Sequence, residues 1–246
     1  MPKLPVELVS RDEIAQGTFR FRFTKPAELA FQAGQYVSLG IPDPPYRDKK
    51  GPRRPLTLAS APSDDVLEFA WRTSDSAFKT ILAEAPLGSS YEVVGPIGAF
   101  VLHEDASVPA VFVAGGIGIT PFRSMLRDVA ARGLTHAITL VYCNRDPEGA
   151  AYLDELRELS ARIPKLRLVL TMTRAEESKR GWDGLRRRVD LDFLREIVGD
   201  LNTPSFYVAG PSRIIAAVSE ALAAAGVDPT RLKKDEFTGY GAAPRA

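Results

Sequence analysis

The sequence has one cysteine, Cys143, and two histidines, His103 and His136, among its 246 residues. A single thiol forms no disulfide within the chain, and it cannot supply a four-cysteine zinc site or an iron–sulfur cluster. The histidines are far apart without helical ligand spacing, so no metal is assigned to them. Excess charge is equally scarce. The 32 Lys and Arg face 31 Asp and Glu, a formal net charge of +1, and the part up to His103 holds 12 of each sign. Neither part is a basic arm, which argues against a general nucleic-acid or anionic-membrane binder. Long apolar runs are absent too: none approaches the ~18 residues of a membrane span. The opening MPKLPVELVSRDEIAQG lacks the apolar core of a signal peptide, so the expected compartment is the cytoplasm. No repeat or low-complexity tract is visible.

What is present changes in texture near residue 105. Before it, short alternating runs are separated by Gly and Pro, as in Thr18-Phe19-Arg20-Phe21-Arg22-Phe23, Tyr36 to Leu39, Leu67-Glu68-Phe69-Ala70-Trp71 and Tyr91 to Val94. Period-two spacing predicts an antiparallel sheet or small barrel, with one helix over Ala77 to Glu84. After it, strands over Val111–Ala114, Ile138–Tyr142, Leu166–Met172 and Phe206–Ala209 alternate with helices over Thr120–Ala131, Tyr152–Ser160 and Ile214–Ala225. That alternation predicts a mostly parallel sheet flanked by helices. The fold class is therefore a two-domain β + α/β chain. An antiparallel β-barrel spans residues 1–103 and an α/β domain residues 109–240, with a tail over 241–246. The short linker Glu104 to Ser107 suggests that the two share a fixed cleft.

Three segments carry chemistry. Gly115-Gly116-Ile117-Gly118-Ile119-Thr120-Pro121 follows an apolar strand and opens a helix, with Thr120 as expected N-cap and Pro121 in the first turn. Glycines admit a phosphate close to the backbone, and the helix start favours an anion. This is a dinucleotide site by mechanism, although Pro121 stands where the GxGxxG pattern wants Gly; a plain tight turn would use the same glycines. Arg54-Pro55-Leu56-Thr57-Leu58-Ala59-Ser60 sets a guanidinium suited to a phosphate diester beside hydroxyls on a strand, where an exposed arginine is the alternative. Ser76-Ala77-Phe78-Lys79 starts a helix whose leading amides would serve a second phosphate contact, or a simple cap.

Taken in order, F-x-x-G-Q (Phe31, Gly34, Gln35), R-x-L-T-L-A-S (Arg54 to Ser60), S-A-F-K (Ser76 to Lys79), G-P-I-G-x-F (Gly95 to Phe100), G-G-x-G-I-T-P (Gly115 to Pro121), A-G-P (Ala209 to Pro211) and the late aromatics Phe237 and Tyr240 resemble the ferredoxin–NADP reductase family of flavoproteins. The resemblance implies FAD in the barrel and NAD(P)H in the α/β domain, with the nicotinamide stacking on the flavin in the cleft. It implies that Arg54 and the segment Ser76, Ala77, Phe78 and Lys79 hold the flavin pyrophosphate, with Leu56 and Thr57 beside the ring. Gly115, Gly116, Gly118, Thr120 and Pro121 would cradle the nucleotide phosphates, and Gly210 and Pro211 would line the nicotinamide end. Phe237 and Tyr240 would cover the flavin, and Thr57 and Phe237 are its catalytic contacts. The chain departs from the family where Leu56 replaces an aromatic ring, Thr57 a serine and Ala209 a cysteine. Glu236 is a candidate proton relay or a solvated carboxylate. Cys143, ending an apolar strand, reads as a buried inert thiol.

The implied reaction is hydride transfer from NAD(P)H to FAD, with electrons passing on to a separate acceptor because one cysteine cannot hold a fused iron–sulfur domain. Arg47 to Arg54, with five basic residues and one acidic, would steer an acidic ferredoxin or flavodoxin or would simply be a solvated loop. A reductase of free flavin, quinone or ferric complexes, and a non-catalytic nucleotide-binding subunit, are the alternatives. Arg145, Arg174, Lys179 and Arg180 are cations available to a 2′-phosphate, and no acid ends the second α/β strand, which leans the nucleotide toward NADPH.

Overall fold

The computed structural model describes residues 1–44, 49, 51–74 and 76–237. They fall into two compact units: Met1–Leu102 with Thr120–Arg132, and His103–Ile119 with everything described from Gly133 onward. No helix among the described residues is long and apolar enough to cross a membrane.

The first unit holds six strands: β1 (Leu4–Ala15), β2 (Thr18–Thr24), β3 (Tyr36–Gly40), β4 (Arg53–Thr57), β5 (Val66–Arg72) and β6 (Ser90–Ile97). They form an antiparallel sheet in the order β4-β3-β6-β1-β2-β5. The long β1 pairs with β6 through Leu4 to Glu7 and with β2 through Leu8 to Ala15. A register shift at Leu8 to Ser10 accompanies the change of partner, the usual use of an extra residue to bend a strand. The inward side chains meet in one core, with Phe21, Phe23, Val37, Leu39, Phe69 and Val93 fully buried. Helix α1 (Ala77–Glu84) adds Phe78 and Leu82 to it.

Alternation in Leu67 to Trp71 predicts a solvated outer face for β5, yet Glu68 and Ala70 are buried along with their inward neighbours. The cause is helix α2 (Ile119–Arg132). Arg123 donates to Glu68 Oε1 at 2.8 Å, both side chains being 4% exposed, and to the carbonyl of Ala59 at 2.7 Å. Ser124 Oγ donates to the carbonyl of Ser60 at 2.6 Å. Arg127 grips Asp64 with two bonds, at 3.1 and 2.7 Å. Glu68 also accepts from Arg22 at 2.9 Å and has Arg20 at 4.0 Å, so guanidiniums of both β2 and α2 face its charge.

The second unit is a parallel sheet of β7 (Ala110–Gly115), β8 (Ile138–Asn144), β9 (Leu166–Met172), β10 (Ser205–Gly210) and β11 (Leu232–Glu236), in the order β11-β10-β7-β8-β9. Helices α3 (Leu153–Arg162), α4 (Leu191–Val198) and α5 (Ser212–Ala224) connect the strands. Val111, Val113, Val141, Val169, Phe206 and Val208 line one sheet face and pack on Phe193 and Leu194 of α4 and Ile215 and Val218 of α5. The predicted fold class, an antiparallel β part followed by a parallel α/β part, is what the strands form.

One local expectation changes. A 3-10 turn over Gly116–Gly118 precedes α2, which starts at Ile119, so Thr120 lies inside the helix with its side chain buried. It is not the N-cap.

Removing Arg123 takes from the buried Glu68 its one fully buried partner, leaving Arg22 and Arg20, which are part-exposed. Arg123→Ala is therefore expected to lower the unfolding free energy by about 3–5 kcal/mol, read from urea denaturation. Arg132→Ala, which removes an exposed pair with Asp128, should cost at most about 1 kcal/mol. Equal small losses for both would contradict the buried pair's role.

Candidate functional site

In the parallel sheet the chain runs outward from β7 through β8 and β9, then returns to place β10 and β11 on the other side of β7. The order thus reverses between β7 and β10, and open α/β sheets bind ligands beyond the strand carboxyl ends at such a point. The turns leaving these two strands are packed against each other there. A Cβ on Gly118 would sit 2.3 Å from the carbonyl oxygen of Ala209 and 2.7 Å from Gly210 Cα. Gly210 has φ +141°, and a Cβ on it would meet Gly115 O at 2.8 Å. Side chains are excluded at both positions, leaving a backbone-lined cradle made by Gly115, Gly116, Gly118, Gly210 and Pro211. Phe237, just past β11, donates its amide to Gly210 O at 2.9 Å and joins the same edge. Pro121, like Thr120, is buried in the first turn of α2. Tyr240 lies outside the described residues.

The segments leaving β8 and β9 continue this edge side by side. Thr173 N donates to Asn144 O at 2.9 Å and Arg174 N to Arg145 O at 2.7 Å, which brings the exposed Arg145 and Arg174 into adjacent positions. Arg174 also faces Glu177 at 3.7 Å.

In the first unit, β4 and α1 are brought together. Arg54 lies 5.2 Å from the centre of the Phe78 ring, and its guanidinium donates to Gly51 O at 2.7 Å and Arg53 O at 2.8 Å. Ser76 occupies the N-cap of α1, but its hydroxyl makes no capping bond, contrary to the cap read from sequence. Ala77 and Phe78 precede the first intrahelical bond, Thr80 N to Ser76 O. The Lys79 ammonium is directed to Arg72 O at 2.7 Å. Leu56 packs half-buried on the barrel core, so the residue standing in for the family's aromatic ring is partly used for packing. Thr57 ends β4 half-buried, opposite Tyr36.

Of the basic stretch, Arg47, Asp48 and Lys50 lie outside the described residues. Lys49 is exposed, whereas Arg53 pairs with Glu92 at 3.3 Å. The histidines serve structure. His103 Nε2 donates to Val108 O at 2.8 Å and its Nδ1 meets Tyr207 Oη at 2.9 Å, while His136 Nε2 donates to His103 O at 2.9 Å. Among the described residues no group of three or more His, Cys, Asp or Glu could hold a metal. Burial pushes the Cys143 thiol up to about 12, so it carries almost no thiolate at neutral pH.

Three polar residues at the carboxyl edge escape sequence reading. Glu236 is hydrogen-bonded to Ser212, and the unusual carboxyl is its neighbour Asp235, which burial raises from 3.8 to about 6. Asn144 ends β8 with a buried side-chain amide that finds no hydrogen-bond partner among the described residues. Glu148 binds the segment after β9. Asp235 was hidden because β11 has little apolar signal, and Glu148 because it stands four positions past the strand end.

Folding leaves Asp235 protonated in a pH range where the unfolded chain releases the proton. The stability this provides is complete below 3.8 and is lost as pH rises through about 6. Asp235→Asn should therefore match the parent's melting temperature near the acidic end and exceed it by a margin that grows as pH rises from 3.8 to about 6 and then stays constant. A difference constant with pH would contradict the assignment.

Comparison with known proteins agrees with this geometry. Residues 112–220 match the oxidoreductase NAD-binding domain family. A ferredoxin–NADP reductase B of Sorangium cellulosum is 31% identical over 198 residues, covering 77% of this chain and 78% of that protein. The glycine betaine monooxygenase reductase subunit of Chromohalobacter salexigens is 28% identical over 226 residues, covering 89% of this chain and 60% of that protein. The chain spans 55% to 60% of the length of that relative and of two other oxygenase-system relatives. Among solved structures, a ferredoxin NADP+ reductase from Neisseria gonorrhoeae with bound FAD and NADP has the same fold. Its TM-score is 0.79 at 20% identity, covering 95% of this chain and 98% of that one. With a close-approach glycine cradle at the switch point and a relative that similar along most of both lengths, the chain belongs to the ferredoxin–NADP reductase family.

Proposed function

We propose that this chain is an FAD-dependent oxidoreductase that takes a hydride from NAD(P)H and passes electrons to a separate electron-transfer protein. The observation that carries this reading is the cradle of Gly115, Gly118 and Gly210, where backbone replaces side chains at the switch point of a parallel sheet. Such a cradle fits the diphosphate of a nicotinamide nucleotide. In the first unit, the nearness of Arg54 to the start of α1 fits a second diphosphate, that of FAD. Bound FAD would supply the hydride acceptor, which no side chain of the protein replaces.

The chain's own residues bind and orient. Arg54 would turn from the carbonyls of Gly51 and Arg53 to the flavin diphosphate, joined by the leading amides of α1. Thr57 would offer its hydroxyl to the flavin ring, and Phe237, with Tyr240, an aromatic cover. Gly115, Gly116 and Gly118 would receive the nucleotide diphosphate at the helix start containing Thr120 and Pro121, and Gly210 and Pro211 would line the nicotinamide end. The neighbouring cations Arg145 and Arg174 favour a 2′-phosphate and hence NADPH. A protein acceptor is supported by relatives named as a ferredoxin–NADP reductase and as reductase components of oxygenases. An acidic ferredoxin or flavodoxin would fit the basic stretch containing Lys49.

Arg54→Ala tests the flavin site. Losing charged hydrogen bonds to a diphosphate should weaken FAD binding about tenfold to a hundredfold, seen as a lower flavin-to-protein absorbance ratio with an unchanged far-ultraviolet dichroism spectrum. Full flavin occupancy in the variant would overturn the assignment.

A further inference from the structure

Glu148, in the segment leaving β8, has a carboxylate with unexpected partners. Its Oε1 accepts from Ser178 Oγ at 3.0 Å and from the backbone amides of Lys179 at 2.9 Å and Arg180 at 3.0 Å. Successive amides and a hydroxyl converging on one anionic oxygen make a nest of the kind that binds phosphate oxygens. Arg180 N also donates to Ser178 Oγ at 3.1 Å, which ties the donors together. Its other oxygen is buried and accepts no hydrogen bond among the described residues. Although burial acts in the opposite direction, the bonds from its own amide, Ser178, Arg180 and Lys179 hold this carboxyl below the ordinary range.

The nest sits on the edge that carries Arg145 and Arg174, because the two segments begin where Thr173 and Arg174 bond to Asn144 and Arg145. A negative group is thus already seated among the cations that suit a 2′-phosphate. A ribose diol, whose hydroxyls can donate to a carboxylate, has no quarrel with it. A phosphate dianion would need the same donors and would be repelled by the charge.

We propose that Glu148 is a specificity-determining residue whose carboxylate competes with the 2′-phosphate of NADPH for Ser178 Oγ and the amides of Lys179 and Arg180, holding down the preference for NADPH over NADH. The inference rests on the nucleotide site described under Proposed function and deepens it.

The test is calorimetric titration of the FAD-supplemented chain with 2′,5′-ADP and with 5′-AMP, in the parent, Glu148→Gln and Ser178→Ala. Glu148→Gln should tighten 2′,5′-ADP about tenfold by removing a like charge, and should leave 5′-AMP within about twofold. Ser178→Ala should weaken 2′,5′-ADP because the phosphate loses a donor. If Glu148 merely pins a loop, both variants loosen it and both weaken 2′,5′-ADP. That parallel result, or an unchanged affinity in Glu148→Gln, overturns the proposal while the parent's nucleotide binding stands. Failure of either nucleotide to bind any of the three proteins overturns the nucleotide site itself, and the proposal with it.

Discussion

The α/β unit depends on one close approach, that of the turn after β7 to the turn after β10. Gly118 and Gly210 have no side chain because Ala209 O and Gly115 O occupy the space one would need. Backbone density at this edge leaves amides and a helix start, rather than side chains, to meet a ligand. Everything assigned to the nucleotide follows from that edge. Gly115 and Pro211 are there by chain continuity, and Arg145 and Arg174 because β8 and β9 end level with β7.

The antiparallel unit is organised by a different constraint, a carboxylate facing outward from a sheet yet shut off from water. Glu68 is tolerable because Arg123 and Arg22 reach it, with Arg20 close by, and the surrounding bonds run from α2 to Ala59, Ser60 and Asp64. Ala59 and Ser60 lie just past Leu58, the residue that follows β4, the strand of Arg54. The helix that starts beyond the glycine turn is therefore fastened to the chain segment that continues from β4. The buried apolar face of α2, with Phe122, Met125, Leu126 and Val129, and these polar bonds act together, since a guanidinium displaced by one helical position would take from Glu68 its most buried partner.

Much of this was legible in sequence because it is written in local patterns. Alternating Phe19, Phe21 and Phe23 specify a strand, and α1 spans Ala77–Glu84 as its spacing predicts. The glycines of 115–118 mark the turn whatever the rest of the chain does. What was illegible is set by partners distant in sequence. Glu68 reads as solvent-facing until α2 covers it, and Thr120 reads as a cap until the 3-10 turn moves the helix start. Strand β11 was missed because four of its five residues, Lys233, Lys234, Asp235 and Glu236, are charged, as suits an edge strand. Helix α4 did carry a signal: Asp190 accepts from Phe193 N at its start, and Gly199 follows its end. Glu148 could be found only once folding set its loop beside Ser178.

The central claim is that one chain holds a flavin and a nicotinamide nucleotide in working relation. Anaerobic mixing of the FAD-supplemented protein with NADPH, followed in the visible flavin band, tests it most directly. The account predicts that the protein retains FAD and that the band bleaches on mixing, as two electrons move from nucleotide to flavin. A protein that retains no FAD, or whose bound FAD is untouched by both NADPH and NADH, would contradict it.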